Sequence, residues 1–362
     1  MAKLCKLRLL CQLCPPGRER GETAQGSCGK LGLTAISTWR DPVPLSDRRS
    51  GTAQGPFFIL MNARSGDKDA AAREATIREV LSQAGRAHTL WPVTDSRQLP
   101  PLARQAVELA RQQDGTVVAA GGDGTINAVA QAVLNSGCPF GVLPQGTFNY
   151  FCRSHGIPLD TAEATRVLLQ GVVRPVQVGL VNDRIFLVNA SVGLYPKLLE
   201  NRELHKQRFG RTRLVAFLSA LVTLLTPPRQ LVLTLEEGGE TVLLMTSTLL
   251  VENNPLQLEQ VGLPEAEAVR QGQLAAIVVR AQGVLQMLSV LVSAALGKLG
   301  ETDRVATLPF VSLTIKPLLR HRIKVATDGE TAWMVPPVEF RVAPQPLLLL
   351  VPPAPEGEGG GP

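Results

Sequence analysis

Aromatic residues are scarce, at 4% of 362 residues, and that argues against a surface built to stack bases. A general charge excess is missing as well. Residues 1–56 hold nine Lys/Arg against four Asp/Glu, and the rest of the chain holds 28 against 27, so the basicity belongs to the first segment. With a nearly neutral body and few aromatics, nucleic acid is not an expected partner. Long apolar runs are absent too. The two most apolar segments, residues 211–225 and 282–299, are shorter than the ~20 residues that cross a bilayer. Cysteine is thin beyond the first segment. Cys11-x-x-Cys14 is followed by no second close pair, which leaves no zinc framework, and Cys138 and Cys152 read as packing residues. Residues 1–16 carry Lys3, Lys6 and Arg8, but their apolar run is too broken for a secretory signal. Residues 1–55 are expected to be a disordered basic extension, and the Pro/Gly/Glu-rich residues 351–362 a disordered tail.

What is present centres on one stretch, Val117-Val118-Ala119-Ala120-Gly121-Gly122-Asp123-Gly124-Thr125-Ile126-Asn127. A β-branched apolar run breaks into three glycines and a carboxylate, and a helix-period segment follows. The pattern predicts a buried strand, a tight loop, and a helix whose first-turn N–H groups are free to meet phosphate. The stretch lacks the Gly-Lys-Ser/Thr of a P-loop and the Gly-x-Gly-x-x-Gly of a dinucleotide fold. It has an acid where a P-loop has a lysine. Beside phosphates an acid is useful if it orients a metal ion or a neighbouring donor.

Around it, strands and helices alternate. Phe57-Phe58-Ile59-Leu60-Met61 predicts a strand leading to Asn62-Ala63-Arg64-Ser65-Gly66, and 67–83 a helix stopped by Gly85. Residues 87–93 predict a strand with Thr94 just beyond it. A helix through Leu102, Ala106, Leu109 and Ala110 follows, and then the central strand. Phe140-Gly141-Val142-Leu143 predicts a fourth strand, running into Pro144-Gln145-Gly146-Thr147-Phe148-Asn149. This alternation predicts a parallel, Rossmann-like α/β sheet covered on both faces, over residues 56–150. Ligands of such sheets sit outside the carboxyl ends of the strands, where three polar or glycine-rich loops gather.

Beyond residue 150 the pattern becomes one of apolar β-branched runs joined by tight polar turns. Residues 172–181 and 185–191 flank Asn182-Asp183-Arg184, and 231–235 and 241–250 flank Glu236-Glu237-Gly238-Gly239-Glu240. Further strands are expected at 274–280, 305–315, 322–326 and 338–342, giving an antiparallel β-sandwich over residues 151–350. The last strands are free to return toward the first domain. Two helices interrupt this region, at 211–225 and 282–299. Each carries a narrow polar or small stripe (Thr212, Ala216, Ser219, Thr223; Gln282, Gln286, Ser289, Ser293) on an otherwise apolar surface. Those surfaces suit either a core or the border of a lipid entrance.

Taken in order, these motifs resemble the diacylglycerol kinase catalytic family, particularly the soluble bacterial lipid kinases. The resemblance rests on Asn62–Gly66, Gly121–Asn127, Leu143–Phe151, Gly156-Ile157-Pro158, Asn253-Asn254-Pro255 and Thr327-Asp328-Gly329-Glu330, and spans about residues 57–345. It implies a nucleotide cleft between the α/β and β-sandwich domains, with a lipid hydroxyl as acceptor. It further implies ATP contacts from Asn62, Ala63, Arg64, Ser65, Gly66, Thr94, Gly121, Gly122, Asp123, Gly124, Thr125, Ile126, Asn127 and Thr147. Glu330 and Asp328 are the implied catalytic acids, since a carboxylate can take the proton of a hydroxyl as it attacks phosphorus. Mg²⁺ is expected to arrive with the nucleotide. The chain departs from the family at Ala128, where glutamate is common, at Tyr150, and at Arg270-Gln271-Gly272, where an acidic segment supplies a structural Mg²⁺ site in some relatives; no such site is expected here. The implied setting is cytoplasmic with transient membrane contact. The resemblance leaves a homodimer open, and the acceptor stays open among diacylglycerol, sphingoid bases, ceramide and phosphatidylglycerol. It also leaves room for a regulator that binds nucleotide or lipid without catalysis.

Overall fold

In the computed structural model the described residues are 55–63, 67–193, 231–237, 240–281, 283–318 and 321–353. The helix expected at 211–225, the expected contacts Arg64, Ser65 and Gly66, residues 1–54 and the tail from 354 lie outside them.

Among the described residues the strands form three six-stranded sheets. The first takes β1 (Phe57–Asn62), β2 (His88–Val93), β3 (Thr116–Gly121) and β4 (Phe140–Pro144), all parallel, in the order β2-β1-β3-β4. Every residue of β3 is buried, as a strand covered on both faces requires. Four helices belong to this layer: α1 (Asp67–Gln83), α2 (Leu99–Gln112), α3 (Asp123–Val133) and, after the short α4 (Tyr150–Ser154), α5 (Thr161–Gln170). Gly85, at φ +63°, follows the end of α1. Asp160 caps α5 by accepting from the Glu163 N–H at 2.9 Å. The sequence reading had no helix over 161–170.

The sheet does not end at residue 150. Two later strands complete it, β5 (Val172–Val176) and β18 (Leu347–Val351), the latter parallel to β4 and antiparallel to β5. The expected single strand 172–181 is therefore two. Its first half stays with the α/β sheet, and its second half, β6 (Gly179–Val181), enters the sandwich. Both β5 and β18 are short apolar runs, and nothing local to them says which core they join.

The other two sheets are antiparallel. One runs β10-β9-β14-β17-β6-β7 and the other β13-β12-β11-β8-β15-β16. Their strands are β7 (Arg184–Phe186), β8 (Asn189–Gly193), β9 (Leu231–Glu237), β10 (Glu240–Thr246), β11 (Thr248–Glu252), β12 (Leu274–Val279), β13 (Val305–Phe310), β14 (Ser312–Pro317), β15 (Ile323–Thr327), β16 (Glu330–Met334) and β17 (Val338–Val342). Phe186, Leu233, Val251, Phe310, Val325 and Phe340 from both sheets share one buried core, the mark of a sandwich. The expected strand 305–315 changes sheets at Val311, with β13 in one and β14 in the other. The other face of the β12 sheet is covered by α6 (Pro255–Gln260), α7 (Ala266–Arg270) and α8 (Val284–Ala295), through Leu258, Val269, Ile277, Met287 and Val290.

Candidate functional site

At the carboxyl edge of the parallel sheet four adjacent strands end in the loops singled out by sequence. Thr94 follows β2 and is exposed. Asn62 closes β1, and the next residue, Ala63, donates its N–H to the Val93 carbonyl at 3.0 Å. Gly121–Asn127 follow β3 and open α3, and the loop with exposed Thr147 follows β4. The strand order reverses between β1 and β3, where a doubly wound sheet opens its crevice. Asn62 Nδ2 donates to Thr125 Oγ1 across that point at 3.2 Å.

The first hydrogen bond of α3 runs from the Ile126 N–H to the Gly122 carbonyl at 3.0 Å. The first-turn N–H groups ahead of it have no partner within the helix, which leaves them for an anion. Not every residue of the stretch faces the crevice. Ile126 is fully buried in the α/β core, where its side chain cannot meet a ligand. Gly122 lies at a close approach, since a Cβ there would stand 3.3 Å from the Cα of Gly146 and the facing backbone would have to give way.

Asp123 holds the neighbouring loop. Its Oδ2 accepts from the Asn149 N–H at 3.3 Å, and its Oδ1 is buried without a hydrogen-bond partner. Burial raises its pKa, opposed by the N–H groups of Asn149, Asp123 and Tyr150. Asn149 itself is left-handed, at φ 48°, and grips Gly146 at both ends: Oδ1 accepts from the Gly146 N–H at 3.0 Å and Nδ2 donates to its carbonyl at 2.9 Å. The sequence reading passed over Asn149 as a loop residue; asparagine's tolerance of positive φ was the available signal.

The second half of the site comes from the sandwich. Asp328 and Gly329 both have positive φ, 45° and 90°, so the β15–β16 loop is an Asp-Gly hairpin turn of the primed kind. The two implied catalytic acids of this turn are placed differently. The Asp328 carboxylate is turned inward, accepting from the N–H groups of Leu187 (2.7 Å), Val188 (2.9 Å) and Asn189 (3.0 Å) and from Asn127 Nδ2 (2.7 Å). Burial raises its pKa and these four donors oppose the rise. Occupied in this way, it is a structural anchor. Asn127, expected as an ATP contact, spends its amide on Asp328 and on the Ile185 carbonyl at 3.3 Å. Glu330, in contrast, is exposed, and its Oε1 lies 3.2 Å from where a Cβ on Gly124 would sit.

Asn253-Asn254-Pro255 makes a second bridge between the domains. Asn253 Nδ2 donates to the Leu187 carbonyl at 3.0 Å, and its Oδ1 accepts from Gln177 Nε2 at 2.8 Å. Asn254 caps α6 through the Leu256 N–H at 3.0 Å and donates to the Tyr150 carbonyl at 3.3 Å. Beside them Glu252 is buried, and that burial, with the charge of Asp328 second, pushes its pKa up to about 8. Neither Gln177 nor Glu252 was signalled by the sequence. At the departures, Ala128 is half-buried, Tyr150 stacks on Phe148 at 5.8 Å, and Gln271 donates to Glu267 at 2.9 Å. Among the described residues no cluster of three His, Cys, Asp or Glu side chains could hold a metal ion.

Residues 56–181 match the family model of the diacylglycerol kinase catalytic domain. These residues belong to the diacylglycerol kinase catalytic domain family. Relatives include an uncharacterized protein of Synechocystis sp., 29% identical over 72% of this chain and 60% of that protein. A protein of Bacillus subtilis named diacylglycerol kinase is 34% identical over 39% of this chain and 46% of its own length. One of Pseudomonas aeruginosa, named "Probable lipid kinase YegS-like", is 34% identical over 40% and 46%. The chain thus spans 46–60% of the length of these relatives. A crystal structure of a diacylglycerol kinase from Bacillus anthracis superposes with a TM-score of 0.63, at 18% identity, over 82% of this chain and 97% of that one, and shares the fold of an α/β sheet joined to antiparallel sheets. The diacylglycerol kinase catalytic domain match ends in β6. It takes in the loop containing Asp123 and leaves out the turn containing Glu330.

Proposed function

We propose that the chain is an ATP-dependent lipid kinase, with diacylglycerol or a similar lipid alcohol as acceptor and phosphatidic acid or its analogue as product. The observation that carries this reading is the approach of Glu330 to Gly124. It sets an exposed carboxylate beside the helix turn best suited to the ATP phosphates. In the proposed reaction Glu330 takes the acceptor's hydroxyl proton as the acceptor oxygen bonds to the γ-phosphorus. The bond from that phosphorus to the β,γ-bridging oxygen breaks, and ADP leaves.

The donor contacts in this reading come from Asn62, Ala63, Thr94, Thr147 and the first turn of α3. Gly122 and Gly124 let the backbone approach, and Asp123 keeps the Gly146–Asn149 loop in place. The buried, unpartnered Oδ1 of Asp123 is the oxygen that fits a cation carried in by the nucleotide. Such a cation would neutralise charge on the transferring group. Asp328 and Asn127 are positioning residues, which aim the turn. The setting is the cytoplasmic face of a membrane, where ATP meets the lipid, through transient contact.

The test is labelled ATP with a panel of lipids in mixed micelles: diacylglycerol, ceramide, a sphingoid base and phosphatidylglycerol. Labelled phosphatidic acid is expected from wild type, with Glu330→Ala and Asp123→Ala strongly impaired. Folded protein that binds ATP and labels no lipid would sink the kinase reading in favour of a regulator. Labelling by both variants at the wild-type rate would remove these site assignments.

A further inference from the structure

The proposed reaction makes no use of Glu252, yet strand pairing places it in one row with the turn that carries Glu330. Glu252 on β11 is the direct cross-strand partner of Asn189 on β8. On the other side of β8, the Asn189 N–H donates to Asp328 Oδ1 at 3.0 Å and the Asn189 carbonyl accepts from the Asp328 N–H at 2.9 Å. One residue thus separates the two acids, with about 10 Å between their strands. A second link runs through Asn253, whose Nδ2 donates to the Leu187 carbonyl, while the Leu187 N–H donates to Asp328 Oδ2. Leu249 and Val251 enter the sandwich core, so alternation turns Glu252 to the face covered by α6, alongside Leu250 and Ala275. There it is 7% exposed, and its Oε2 has no hydrogen-bond partner. The side chain directly opposite, Asn189, donates to Gln257 Oε1 instead, at 3.1 Å.

Two buried carboxyl groups in one row resist carrying charge together. Asp328 accepts from four donors and Glu252 Oε2 from none, so the charge settles on Asp328 and the proton on Glu252. Burial, with the charge of Asp328 second, pushes the Glu252 pKa up to about 8, so the proton is held at neutral pH and lost just above it. The other charges on the elements around Glu252 do not offset this pairing. Strands β8 and β12 carry none, and on α6 and α7 Arg270 pairs with both Glu259 and Glu267, all three exposed. We propose that Glu252 is a positioning residue for phosphoryl transfer: protonated, it leaves Asp328 in possession of the Leu187–Asn189 N–H groups, and ionised, it loosens that anchor and moves Glu330 away from Gly124. The inference rests on the lipid-kinase reading for its effect on catalysis, while its effect on the anchor stands without that reading.

Two measurements on the full chain at pH 7 and pH 9, wild type beside Glu252→Gln, test the inference. One is kcat for the lipid identified by the panel, and the other is hydrogen exchange read by mass spectrometry. Glutamine keeps the shape of the neutral acid and cannot ionise, and comparison at equal pH cancels the intrinsic pH dependence of exchange. Between pH 7 and pH 9 the wild-type kcat is expected to fall about tenfold, the factor by which a group titrating near pH 8 loses its protonated form. Glu252→Gln should hold at pH 9 the kcat that it has at pH 7. At pH 9 the wild-type segment Leu187–Asn189 should exchange several-fold faster than the same segment of the variant. Thermal unfolding at each pH checks that both chains are folded, and if Glu252→Gln fails to fold, Glu252→Met, uncharged and of similar size, takes its place. The inference is overturned if the variant's kcat declines as steeply as the wild type's, or if the two exchange alike at pH 9. The two readings fail separately. Faster exchange of wild type alone, with no lipid phosphorylated, removes the kinase and leaves the coupling of Glu252 to the anchor. Lipid phosphorylation with parallel pH profiles removes the coupling and leaves the kinase.

Discussion

Asn127 Nδ2 donates to Asp328 Oδ2 at 2.7 Å, joining the helix behind the glycine loop to a turn 201 residues downstream. Through this bond the ATP-site candidate and the Glu330 hairpin keep a fixed relation. Asp328 completes the joint with three backbone N–H groups from Leu187–Asn189.

Removing that carboxylate should damage the fold more than the chemistry. Asp328→Ala leaves three backbone N–H groups without an acceptor and takes from the Asn127 amide one of its two, at an expected cost of about 3–5 kcal/mol. Denaturant unfolding measures it; a loss below about 1 kcal/mol would contradict the anchor role.

Glu330 should behave in the opposite way. It is exposed and makes no structural bridge among the described residues, so Glu330→Gln should unfold as wild type does. Phosphoryl transfer should fall by about 10²–10⁴-fold, the usual worth of a positioned base. Steady-state kinetics with the lipid identified by the panel decide this. A kcat within a few-fold of wild type would rule Glu330 out as the proton acceptor.

Gly124→Ala is expected to separate stability from activity. Its Cβ would lie 3.2 Å from Glu330 Oε1, and the flexible end of that side chain can yield. Gly124 stands in the first turn of α3, where alanine gains up to about 1 kcal/mol in helix propensity. The variant should therefore unfold no earlier than wild type while kcat drops, because yielding moves the carboxylate. Unchanged kcat would show that the approach is incidental.

Glu252 makes stability depend on pH with a definite sign. Its folded pKa of about 8 lies above its ordinary 4.5, so between these values the folded state holds a proton that the unfolded state has lost. Its contribution is present below pH 4.5 and declines as pH rises, by up to about 1.4 kcal/mol per pH unit, levelling off above pH 8. Glu252→Gln should remove that decline. Wild-type and variant unfolding curves at pH 5, 6.5 and 8 check it, and parallel pH profiles would count against the shift.

The sequence by itself determined the parallel sheet and the loops at its carboxyl edge. Continuous apolar runs at β1, β3 and β4, broken by glycine, asparagine and helix-period segments, encode a parallel sheet and its carboxyl-edge loops within local stretches. Their physics is local: strand burial, turn chemistry and a helix N-terminus. The Asp-Gly turn before Glu330 was legible for the same reason.

Tertiary structure decided the rest. Only packing told Asp328 from Glu330, two acids on one turn, by burying the first against donors from Leu187–Asn189 and Asn127 and leaving the second open. Only sheet pairing took β5 and β18 into the first core, because short apolar runs are alike until they meet a partner. The pKa of Glu252 arises from burial and a distant charge, and no local pattern around residue 252 records either. The crevice edge was written in the sequence, while the closing of Glu330 on Gly124 belongs to the fold, because it depends on two segments about two hundred residues apart being held together in space.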